Sequence, residues 1–162
     1  MSLTFRLETP RDALAKAGRE FAALQAAVAA QDETRVADCV YNFCVSVYHV
    51  KDWLTEGSPP ACASSVVEVF IKGTPALLVC RDICNASKHK RIRKYVAVAS
   101  SVLTSAPTSF FVVTPPAPSL TRITGSPFRV KVKMADGQKY DVLAVGSDAL
   151  AAWEAFFAKH GL

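Results

Sequence analysis

The chemistry-bearing residues of this chain fall at helical spacing in an otherwise apolar N-terminal half. Between Arg35 and Glu56 the polar residues Arg35, Asp38, Asn42, Ser46, His49 and Asp52 recur in steps of three or four, with almost only apolar residues between them. Such steps keep side chains on one face of a helix. A second, shorter stripe holds Asp82, Asn85 and His89, flanked by Arg81 and Lys88, while Val79, Cys80, Ile83, Cys84 and Ala86 cover the other side. If the two faces meet, His49, Asp52, Asp82, Asn85 and His89 share one site. Histidine exchanges protons near neutral pH. Asp52, three residues beyond His49, is spaced to fix its tautomer and raise its basicity. The plain alternative is the wet face of two bundle helices, although the stripe residues are short or ring-bearing rather than the Glu, Lys and Gln usual there.

Other chemistries have less to stand on. Two histidines and two aspartates on facing helices can hold a divalent cation. The Glu-x-x-His pattern of di-iron bundles is absent, however, so neither a metal nor a cofactor is expected. No Gly-rich phosphate loop, GxSxG elbow or HExxH occurs. His160 falls in a last helical turn, where a cation opposes the helix dipole. The five cysteines, Cys39, Cys44, Cys62, Cys80 and Cys84, form no CxxC pair and mostly follow apolar faces, as reduced core thiols do.

Charge is concentrated. The net charge is +5, and Lys88, Lys90, Arg91, Arg93 and Lys94 fall within one seven-residue stretch, so the remainder is formally neutral. A dense basic run attracts phosphate. It can equally be a solvated helix end whose cations oppose the dipole.

The elements that must position these groups can be read in order. Thr9-Pro10 caps and opens an amphipathic helix over 10–30, with Asp12 and Lys16 as an i,i+4 pair. Asp32 or Thr34 caps a second helix over 34–56, and Gly57-Ser-Pro-Pro60 stops it. A third runs over 62–72 to Gly73, and Thr74-Pro75 opens a fourth over 75–90. The character then changes to β-rich runs at Tyr95–Ala99, Phe110–Val113 and Phe128–Met134, with a proline-rich loop over Thr114–Pro118. Register follows the apolar face. A three-residue Ala135-Asp136-Gly137 loop therefore pairs Val132 with Tyr140, Val130 with Val142 and Lys131 with Asp141. Ser147 is expected to cap a last helix carrying Leu150, Trp153, Phe156 and Phe157. The fold class is α+β: a bundle of about four helices over 1–92, then an antiparallel β-meander or hairpin and a C-terminal helix over 93–162, packed as one domain.

With 162 residues, 51% hydrophobic and 20% charged, the chain can bury a core and is not expected to be disordered. No apolar run reaches the ~20 residues a membrane span needs; the segment over 35–56 comes closest but is interrupted by polar and charged residues. Met1–Pro10 lacks a basic start and apolar core, so no signal peptide and no membrane partner are expected, and the location expected is the cytoplasm.

A bundle whose last long helix ends in Asn85-Ala-Ser-Lys-His89 beside basic residues resembles the HEPN group of small bacterial helical domains. Tyr48-His-Val-Lys-Asp-Trp53 and Cys84-Asn-Ala-Ser-Lys-His89 are also similar to segments of small bacterial proteins of uncharacterised activity. The HEPN resemblance covers about residues 10–92. It implies a toxin–antitoxin or defence setting, a homodimer, and RNA or a protein partner such as an antitoxin. It also implies a metal-independent endoribonuclease as the catalytic form, with His89 as acid/base, Asn85 orienting it, and Arg81 with Lys88 holding phosphate. His49, Asp52 and Asp82 would support the same cleft. The family's Arg is followed by four to six residues and then the His, and here Cys84 precedes Asn85 while Arg81 lies seven intervening residues from His89. An RNA- or partner-binding module is therefore the first expectation, and a ribonuclease the alternative.

Overall fold

The computed structural model describes residues 7–88, 99–105, 109–114, 119–124, 129–134 and 139–162. His89, Lys90, Arg91, Arg93 and Lys94 lie outside the described residues, as do the 95–98 part of the first β-rich run, the 115–118 part of the proline loop and the 135–137 hairpin loop.

Among the described residues four helices come first: α1 (Pro10–Ala30), α2 (Glu33–Thr55), α3 (Ser64–Lys72) and α4 (Pro75–Lys88). Each of the first two starts where a side chain can satisfy orphan N–H groups. The Thr9 hydroxyl accepts from the Asp12 N–H, and the Asp12 carboxylate accepts from the Thr9 N–H, closing a capping box. Asp12 is thus committed to the cap rather than to Lys16, which bonds Glu20 at 2.9 Å and the Ser46 hydroxyl at 2.7 Å. Asp32 caps α2 by accepting from the Arg35 N–H.

Among the described residues five strands follow: β1 (Ala99–Ser105), β2 (Ser109–Thr114), β3 (Ser119–Thr124), β4 (Arg129–Met134) and β5 (Lys139–Asp141). They form an antiparallel sheet in the order β1-β4-β5 and a separate β2-β3 hairpin. β4 and β5 pair Val132 with Tyr140 and Lys131 with Asp141, the register that the apolar alternation requires. The ladder stops there, because Val142 opens the last helix instead of pairing with Val130.

That helix is α5 (Val142–His160), and it starts five residues before the expected Ser147 cap. Asp141, the last residue of β5, caps it directly, its carboxylate accepting from the N–H groups of Leu143 and Ala144. Gly146 then lies inside the helix. A Cβ there would stand 2.8 Å from Cδ2 of Phe21 and 3.2 Å from Cε1 of Phe43, closer still to Cε2 of Phe21. The glycine marks a close helix crossing, not a boundary. At the other end Gly161 takes φ 67°, the left-handed cap that Cβ-bearing residues avoid.

Helix α5 packs on α1, α2 and α4 and against β4 and β5. Trp153 is fully buried and donates its indole N–H to the Val47 carbonyl at 2.9 Å. Phe70 and Phe156 flank its ring at centroid distances of 5.2 and 5.6 Å. Around it runs one apolar cluster drawn from all five helices and from Val130 and Val132 of β4. Among the described residues no helix is long and apolar enough to cross a membrane.

Candidate functional site

Helices α2 and α4 lie side by side, as the two stripes require of neighbouring elements. Three thiols lie between them. Cys44 of α2 and Cys80 and Cys84 of α4 are all buried. A hydrogen bond with Cys80, then burial, then the nearby Cys80 and Cys84 thiols push the Cys44 thiol well above its ordinary range. A thiol held protonated in this way is a small hydrophobe with a weak donor, not a nucleophile. All five cysteines are free, and only Cys62 is half-buried rather than buried.

His49 stands at the edge of this layer, half-buried, with Nε2 at 3.8 Å from Sγ of Cys84. The histidine therefore faces α4. Its supposed partner, Asp52, does something else: it pairs with Lys51 at 2.9 Å. Burial draws the Lys51 ammonium down, but the Asp52 hydrogen bond and charge, aided by Tyr48 and Glu68, leave it raised overall. The ammonium also lies 5.2 Å from the centroid of the Tyr48 ring. Tyr48, Lys51 and Asp52 thus form a partly exposed polar strip beside His49.

The second stripe divides more sharply. Asp82 is only 1% exposed. Its Oδ1 accepts from Nε and Nη2 of Arg81 at 3.0 and 2.8 Å, and its Oδ2 accepts from the Ala99 N–H at 3.1 Å. This carboxylate fastens α4 to the start of β1. Arg81, expected to flank the stripe as a phosphate contact, holds that buried carboxylate, with its side chain 17% exposed. Asn85, one turn on, is half-buried. The sequence assigns Asp82 to the face opposite the cysteines correctly, but that face is covered too, because β1 lies against α4.

The α2 stripe changes environment along its length. Arg35, Asp38 and Asn42 are exposed, Ser46 is buried against Lys16, and His49 and Asp52 are half-buried. The cause is what lies against each turn. Eleven steps lead from Arg35 to Ser46, and at ~100° per step they turn through about 1,100°, within about 20° of three full turns, so the two keep one face. Lys16 of α1 meets that face at Ser46, and Cys84 of α4 meets it at His49.

Among the described residues no three His, Cys, Asp or Glu side chains are arranged to hold a metal ion. One concavity lies elsewhere: a groove of about 550 Å³ between α3 and α5, lined by Val66, Val69, Phe70, Phe156, Lys159 and His160 among others. Nothing in the stripes points to it. The visible signal is that α3 carries Val66 and Val69 outside its core-facing residues Val67 and Ile71. No protein-family model, curated protein or solved structure matches the chain.

Proposed function

We propose that the chain is a HEPN-like helical module that binds single-stranded RNA through its basic run, Lys88, Lys90, Arg91, Arg93 and Lys94, and does not cleave it. The observation that carries this reading is the fate of Arg81. It is the only arginine on α4, and the buried Asp82 carboxylate occupies it. A guanidinium committed to a buried ion pair cannot reach a scissile phosphate without leaving that carboxylate uncompensated, which is costly. The cations that follow it in sequence are then the natural phosphate contacts, and such contacts position a strand without doing chemistry on it.

The test pairs binding with cleavage. A fluorescently labelled RNA of mixed sequence, titrated with protein at about 50 mM salt, is expected to bind, since phosphate contacts are strongest there. The same RNA recovered on a denaturing gel is expected to be intact. Cleavage that disappears in the His89→Ala variant would establish the ribonuclease alternative instead. Absence of RNA affinity at that salt would sink the nucleic-acid reading and leave a protein partner, such as an antitoxin, as the occupant of this module.

A further inference from the structure

We infer that the groove between α3 and α5 is a binding site for a small amphiphilic carboxylate, an unbranched acyl chain with one anionic head. Its walls come from two helices whose apolar residues exceed what the core can cover. Val67 and Ile71 of α3 face inward, while Val66 and Val69 remain 41% and 71% exposed. Opposite them, Phe156 packs its ring on Phe70 at 4.6 Å and on His160 at 4.3 Å, so the floor is a continuous aromatic surface. The groove holds about 550 Å³, within the ~300–1,000 Å³ of small-molecule clefts.

Charge selects the head group. Among the described residues eight line the groove, of which Lys159 and His160 are basic and none is acidic. Among the described residues Lys159 has no salt-bridge partner. Both basic residues sit in the last turn of α5. The helix C-terminus there carries roughly half a negative charge, which the full charge of Lys159 exceeds. An apolar tail on Val66, Val69, Phe70 and Phe156 places an anionic head beside Lys159 and His160. Size argues against a protein occupant: a stable protein interface engages about 20–30 residues a side, several times what lines this groove. The inference is independent of the RNA reading, because the groove and the basic run share no residue.

Dodecanoate is a suitable probe, followed by calorimetry and by shifts of backbone amide resonances in the full chain. Binding is expected with 1:1 stoichiometry and amide shifts confined to α3 and the last turns of α5. Dodecanol should bind about tenfold more weakly, roughly the contribution of one partly exposed charge contact. Val69→Glu, at a position already open to solvent, should fold normally and abolish binding, and Lys159→Gln should reproduce the loss seen with dodecanol. Equal affinity for the acid and the alcohol would overturn the assignment of the head-group site. Binding that survives Val69→Glu, or shifts centred elsewhere, would overturn the groove. A concentration-dependent dimer that Val69→Glu dissociates, with no dodecanoate binding, would overturn the ligand in favour of a second copy of the chain.

Discussion

Removing the Asp82 carboxylate should destabilise the protein far more than removing an ordinary surface acid. The side chain is 1% exposed and accepts hydrogen bonds from Nε and Nη2 of Arg81 and from the Ala99 N–H. Deleting one member of a buried pair typically costs about 3–5 kcal/mol, because the other charge is left uncompensated. Arg81 retains 17% exposure, so water can partly solvate it, and the low end, ~3 kcal/mol, applies. The orphaned Ala99 N–H adds about 1 kcal/mol. Asp82→Ala should therefore lose about 3–4 kcal/mol, which for a chain of this length lowers Tm by roughly 10 °C. Asp82→Asn keeps acceptor oxygen but not charge and should lose about half as much. Denaturant unfolding of D82A, R81M and the double variant R81M/D82A, read by circular dichroism, supplies the coupling. The double variant should be more stable than the sum of the single losses implies, by at least ~1 kcal/mol. If D82A unfolds within ~1 kcal/mol of the parent, or the two losses simply add, Asp82 is not the fastening of α4 to β1, and Arg81 becomes available for phosphate.

Two further outcomes follow from the packing. Gly146→Ala should destabilise by about 1–2 kcal/mol, because overpacking against Phe21 and Phe43 outweighs the ~1 kcal/mol gained in helix propensity; in a Phe21→Ala background the same change should become stabilising, and an unchanged sign there would refute the close crossing. Because the Cys44 thiol is raised in the folded state, the native protein holds a proton that the unfolded chain releases. Its contribution is complete below the ordinary thiol value of about 9.0 and is lost as pH rises above it. Stability measured against pH should therefore fall at up to ~1.4 kcal/mol per pH unit for this group. Cys44→Ala should flatten that alkaline limb by one proton, and an identical slope in the variant would contradict the buried thiol layer.

The sequence reveals most about elements whose signals are local. Thr9-Pro10 places the start of α1, and the alternation of Val130, Val132 and Tyr140 selects the β4–β5 register, because each depends on neighbouring residues alone. What stays hidden depends on a third element. Gly146 reads as punctuation until Phe21 and Phe43 arrive from α1 and α2 to occupy the space of its Cβ. Ser119–Thr124, half Ser and Thr, becomes a strand only by pairing with β2. The candidate site suffers the same way. His49 and Asp52 are neighbours on a helix wheel, but adjacent Lys51 takes the carboxylate. Asp82 looks like a site acid until β1 covers it and offers the Ala99 N–H. Periodicity assigns a residue to a face; it does not say what covers that face.

Phosphate binding by the basic run without catalysis is tested by the salt dependence of RNA affinity in the parent and in Arg91→Ala/Arg93→Ala. Each phosphate neutralised on a single strand contributes about −0.7 to the slope of log affinity against log salt, so five cations give a slope as steep as about −3.5. Removing two should flatten it by about 1.4 while weakening binding to all sequences alike. A slope unchanged in the double variant, or an affinity indifferent to salt, would mean that the basic run does not hold phosphate.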